Sequence, residues 1–260
     1  MIDARGYLRS TWHPVARLRA VFPIAGVAVA VAVGLSSVSC FTQGETTCGQ
    51  EDSASAPMRG HVVDKDGAPL GGSLVFIELC RLYSDNPDPS KGHPNYRYGT
   101  VAKQDGSFEL MVPRGSAGIH TFQPGYQYGF ASVDDTTASG IEPFPRVEKL
   151  GDKKGPVTTD FTVTPTDASP GQPLRISVNV KAPSPKDPLS EEVLVLEERT
   201  AVARALDPPR RGVQGKGYPD GLWSTTLNAP SAPGTYVYRL GVTTEGCATG
   251  DTPSQEITVR

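Results

Sequence analysis

Two Asp-Gly pairs, in "DKDG" (Asp64 to Gly67) and "KQDG" (Lys103 to Gly106), set carboxylates beside a glycine as a calcium loop does. An EF-hand loop takes acids at its positions 1, 3 and 5, glycine at 6 and glutamate at 12. With Gly67 at the glycine position, the first and last ligand positions fall on Val62 and Ser73. With Gly106 there, they fall on Val101 and Val112. Neither frame supplies the ligands that matter most. The same residues suit tight turns, because glycine tolerates positive φ and aspartate bonds its own backbone. Asp66, Gly67, Asp105 and Gly106 are therefore expected to be structural turn residues.

A second set with chemical potential is His93, Tyr96, Tyr98, His120, Tyr126 and Tyr128, all within one stretch. Other catalytic patterns are missing: no G-x-S-x-G elbow, H-E-x-x-H pair, P-loop or GxGxxG motif follows an expected strand. The acids of "SEEVLVLEERT" (Glu191, Glu192, Glu197 and Glu198) flank an apolar run and read as solvated strand ends. Arg210, Arg211 and Lys216 lie in a long polar loop, a rim that could meet an anionic polysaccharide or remain solvated. No cofactor and no metal are expected.

The elements that carry these residues are strands. Apolar positions alternate in "SFELMV" (Phe108, Leu110, Val112), "DFTVTP" (Phe161, Val163) and "PLRISVNVKAP" (Leu174, Ile176, Val178, Val180). Trp223 with Leu227, and Tyr236, Tyr238, Leu240 and Val242, mark further core faces. With 28 Gly and 24 Pro among 260 residues, turns are frequent, and helical periods are absent. Short strands at regular spacing between such turns argue for antiparallel sandwiches. The formal charge of −3 gives no electrostatic reason to expect nucleic acid.

The first 39 residues read as a secretory signal peptide. Arg5, Arg9, Arg17 and Arg19 precede the apolar run Val21 to Leu35, which is shorter than the ~20 residues a spanning helix needs. Small residues then lead into Cys40. Residues 40–57 are polar and aperiodic and read as a tether; 58–135 form a first β unit, 136–156 a linker and 157–260 a second β unit. Export makes disulfides available to Cys48, Cys80 and Cys247; Cys48 with Cys80 is the favoured pair.

Three resemblances extend this reading. "SSVSC" resembles the lipobox of bacterial lipoproteins, although Ser37 stands where that family usually has leucine. The resemblance implies lipidation of Cys40 and attachment to the membrane through the lipid. Ordinary cleavage after Ser39 and an uncleaved anchor are the alternatives. Phe41 is not the aspartate of inner-membrane retention, which favours the outer membrane. From about residue 58 to 130, Gly60, Asp64, Gly67, Pro69, Leu70, Gly72, Val75, Asp105, Gly106, Phe108, Pro113 and Gly115 resemble the carboxypeptidase regulatory-like domain, a transthyretin-like sandwich. Such domains are mostly stability or binding modules. The stretch is also similar to intradiol ring-cleavage dioxygenases, related sandwiches that bind ferric iron through two Tyr and two His, the histidines as a close H-x-H pair. That resemblance implies iron ligands among His93, Tyr96, Tyr98, His120, Tyr126 and Tyr128, but the H-x-H pair is missing and no histidine follows His120. In the second unit, "APGTYVYRL" resembles a late strand of immunoglobulin-like domains, where a tyrosine corner can occur.

The expectation is therefore all-β: two antiparallel sandwiches, transthyretin-like and then immunoglobulin-like, in an exported, lipid-anchored envelope protein. It would act as a non-enzymatic binding, adhesion or structural module, with a cell-surface polysaccharide or another envelope protein as partner. The alternatives are a degenerate dioxygenase-like enzyme and a subunit of a larger envelope complex. Mass spectrometry of the mature N-terminus tests the anchor: an acylated peptide beginning at Cys40 is expected, and an unmodified terminus at any position overturns it.

Overall fold

The computed structural model describes residues 52–79, 98–115, 117–133, 146–147, 151, 154–209, 217–250 and 253–260. The signal peptide, Cys40, Cys48, Cys80, His93, Tyr96 and the loop residues Arg210, Arg211 and Lys216 lie outside them. The described residues are all-β. The first half supplies β1 (Asp52–His61), β2 (Val63–Asp64), β3 (Leu74–Leu79), β4 (Tyr98–Val101), β5 (Ser107–Arg114), β6 (Ala117–Phe122), β7 (Gly129–Val133) and β8 (Arg146–Val147). The second supplies β9 (Val157–Thr164), β10 (Asp167–Ala168), β11 (Pro173–Lys181), β12 (Leu189–Glu197), β13 (Val202–Ala205), β14 (Gly221–Asn228), β15 (Gly234–Thr244) and β16 (Ser254–Val259).

Each half is a sandwich. In the first, the pair β1-β5 faces β4-β3-β6-β7 across Met58, Val62, Val75, Ile77, Phe108, Leu110, Val112 and Ile119. In the second, β14-β11-β9 faces β10-β16-β15-β12-β13 across Leu174, Ile176, Val178, Trp223, Tyr236, Tyr238, Leu240 and Val242. The alternating residues singled out from the sequence point into these two cores. β8 lies inside the stretch read as a linker and pairs in parallel with β2, Val63 opposite Arg146.

The two sandwiches share a sheet. Hydrogen bonding runs unbroken through β10-β16-β15-β12-β13-β4-β3-β6-β7, and the halves meet at one register pair, Val202 with Tyr98. Ala201, at φ 56, holds its carbonyl toward the Gly99 N–H at 3.0 Å. The sheet folds at this crease, so that β3 and β6 face β12 and β15. Between them lies a third core of Leu74, Phe76, Phe122, Tyr128, Leu194, Leu196 and Ala203. Phe76 and Phe122 meet edge to face, centroids 5.4 Å apart. Apolar side chains therefore fill three separate cores, one in each sandwich and one between them.

That arrangement accounts for the unbroken apolar runs in β3 and β12. Val75 and Ile77 enter the first core while Leu74 and Phe76 enter the third. Val193 and Val195 enter the second core while Leu194 and Leu196 enter the third. A strand buried on both faces has no polar side to show. Each such Leu or Phe contributes about 1.5–3 kcal/mol by leaving water. The layers approach so closely that a Cβ on Gly241 of β15 would stand 2.9 Å from Phe122.

Both Asp-Gly turns have one hydrogen-bond frame. Asp64 N–H donates to Ala68 O at 2.8 Å and Gly67 N–H to Asp64 O at 3.0 Å; Lys103 and Gly106 repeat this with Ser107 O and Lys103 O. Gly67 and Gly106 sit at φ 84 and 77, the left-handed position such three-residue loops require. The stabilising carboxylate in the first turn is that of Asp64, not Asp66. It is 8% exposed and accepts the N–H groups of Asp66 and Ala68, each at 2.9 Å. In the second turn Asp105 accepts the amide and hydroxyl of Ser107. The turns pack on each other: Val62 N–H donates to Gly106 O, and a Cβ on Gly106 would meet Val62 O at 2.5 Å.

In the second sandwich the Tyr236 hydroxyl donates to Ala232 O at 2.6 Å, four residues back, with the Arg199 guanidinium 5.0 Å above the ring. This is a tyrosine corner. The expectation that Glu197 is a solvated strand end is corrected. It is 2% exposed and accepts the N–H groups of Arg199 and Thr200, both at 2.8 Å, and the Thr200 hydroxyl. It closes the turn into β13. Burial, aided by the Glu197 charge, pushes the Tyr238 phenol well above its ordinary pKa.

Two measurements test this architecture. Gly241→Val is expected to cost about 1–3 kcal/mol by overpacking. Calorimetry should show one unfolding transition moved down by roughly 2–4 °C per kcal/mol; two separate transitions would contradict a shared core. The hydroxyl and amide of Ser107 hold the Asp105 carboxyl below its ordinary pKa. The stability this contributes is present above the unfolded pKa and is lost as pH falls through the folded one. In Ser107→Ala, the Asp105 titration followed by carboxyl NMR should move up toward the ordinary value; an unchanged midpoint would refute the assignment.

Candidate functional site

The polar side chains that the described fold buries together lie on the third-core face of the first sandwich. In the β3–β6 pair, Phe76 stands opposite His120 and Glu78 opposite Gly118. Glu78 and His120 are thus diagonal neighbours on one face, within reach of each other. Gly118 leaves the space between them open: a Cβ there would stand 3.2 Å from His120 Nε2 and 3.1 Å from the Phe130 ring. The Glu78 Oε2 lies 3.1 Å from His120 Nε2, and the Tyr128 hydroxyl bonds His120 Nδ1. Glu78, His120 and Tyr128 are 7%, 2% and 8% exposed. Phe130 packs edge-on to the imidazole at 5.3 Å.

The chain of contacts ends at the junction of the halves. Tyr128 N–H donates to Cys247 O at 2.6 Å, and Gln127 bridges to Ala248. Thr249 N–H and its hydroxyl both reach Tyr126 O, at 3.1 and 2.7 Å, and the hydroxyl also reaches Gln123 O. The turn from Thr244 to Thr249 therefore forms a second joint between the halves, besides the crease at β13 and β4.

The order phenol, imidazole, carboxylate decides what the cluster can do. Tyr128 and Glu78 occupy different ring nitrogens, whose lone-pair directions diverge. The three groups cannot converge on one ion through this histidine. In the tautomer protonated at Nε2, the ring donates to the Glu78 carboxyl oxygen and its Nδ1 accepts a hydrogen bond from the phenol O–H. That is a hydrogen-bonded brace, worth most where water is excluded. Glu78 Oε1 is buried with no hydrogen-bond partner among the described residues.

Of the Tyr/His set considered for iron, the structure brings His120 and Tyr128 together. Tyr98 and Tyr126 pack against the first core rather than the third. Among the described residues no group of three or more His, Cys, Asp or Glu is placed to hold a metal. Glu78 was missed in the sequence. Its signal was a lone carboxylate in the apolar strand "SLVFIEL", in step with Leu74 and Phe76.

Cys247 is disulfide-bonded and sits at φ 68 in the Thr244–Thr249 turn, packed against the third core. The other half of that bond, like the expected Cys48–Cys80 bridge, lies outside the described residues.

A brace of this kind has a definite mutational signature. His120→Ala should cost about 3–5 kcal/mol in urea unfolding, because it strands a buried carboxylate. Glu78→Leu combined with His120→Phe should recover most of that loss. A double variant as unstable as the sum of its parts would rule the brace out.

No family model matches the chain, and none of the curated proteins does. Among solved structures, a DUF3823 family protein from Parabacteroides merdae ATCC 43184 is 13% identical, with a TM-score of 0.29 over 80% of this chain and 100% of that one. Another, from Bacteroides ovatus ATCC 8483, is 12% identical, with a TM-score of 0.29 over 78% and 98%. BcpA, the major pilin subunit of Bacillus cereus, is 9% identical, with a TM-score of 0.22 over 79% and 69%. Superpositions this loose assign neither family nor function.

Proposed function

We propose that the chain is an exported envelope protein, held to the outer membrane by a lipid on Cys40, that serves as a non-enzymatic structural or binding module. The observation that supports this best is the third core. Leu194, Leu196 and Gly241 of one sandwich close on Leu74, Phe76 and Phe122 of the other. Apolar surface of that kind fixes the halves relative to each other, which suits a rigid body that carries contact loops. Several buried polar groups are engaged in turns and braces: Asp64 and Glu197 close loops, and His120 links Glu78 to Tyr128. Such groups stabilise a scaffold, whereas a catalytic centre needs them to converge on a reacting atom.

The first sandwich is read as a carboxypeptidase regulatory-like domain and the second as immunoglobulin-like. The partner is a cell-surface polysaccharide or another envelope protein, met by loops that include Arg210, Arg211 and Lys216. Affinity capture from detergent-solubilised membranes tests this with the full mature chain. Wild-type protein is expected to retain an acidic polysaccharide or an envelope protein. Reversal of Arg210, Arg211 and Lys216 to Glu is expected to weaken retention at least tenfold without changing the melting temperature. Retention unaffected by the reversal removes the loop from the contact, and tyrosinate-iron absorption in the purified protein would replace this reading with an enzymatic one.

A further inference from the structure

We draw no further inference here: the strongest candidate, the buried Oε1 of Glu78 at the end of the Glu78–His120–Tyr128 chain across β3, β6 and the residue before β7, belongs to the site already described, and nothing among the described residues shows what ligand would reach it.

Discussion

The contact of Leu194 and Leu196 with Leu74, Phe76 and Phe122 is the constraint on which the other features of the fold rest. It joins the two sandwiches through a third core and buries β3 and β12 on both faces. It also demands small residues where backbone meets ring. At Gly99 a Cβ would stand 2.8 Å from a Leu196 methyl, and at Gly241 it would touch Phe122. Two independent hydrogen-bonded joints flank the core, the Gly99–Ala201 crease and the Thr244–Thr249 turn on Tyr126 and Tyr128. A hinge between domains needs a wet, polar interface that can be remade cheaply. This interface is apolar at its centre and made of interlocking side chains, so relative motion of the halves would expose a core.

Much of this was legible in the residues. The alternation in "PLRISVNVKAP" identified Leu174, Ile176, Val178 and Val180 as inward because a sheet with one wet face writes its orientation into the sequence. The turn chemistry of Gly67 and Gly106 was equally legible, since few residues accept positive φ. What the residues did not disclose was the contact between halves. A strand buried on both faces looks like a strongly apolar strand of any kind, and periodicity does not say that its second face meets a distant sheet.

The candidate site was hidden for related reasons. His120 and Tyr128 drew notice as histidine and tyrosine, types associated with metals. The second partner of His120 was Glu78, separated from it by 42 residues and brought alongside only by strand pairing. Glu197 was misread because a charged residue at a strand end is usually solvated. Here the chain turns back at once, and the carboxylate supplies acceptors that the tight turn's own N–H groups lack. In both cases a single carboxylate serves neighbours that only the folded chain reveals.

The double-sided burial of β3 carries one more consequence. A strand with one apolar face resists slipping by a residue, since the slip would drive polar groups inward and apolar ones outward. β3 lacks that safeguard: a slip exchanges Leu74 and Phe76 for Val75 and Ile77, one greasy set for another. Glu78 breaks the degeneracy. Moved by one place, its carboxylate would face the first core, where Ile119 and Val112 offer no hydrogen bond, instead of the imidazole of His120. The buried acid acts as the key that makes one alignment of an otherwise featureless strand distinguishable from the next.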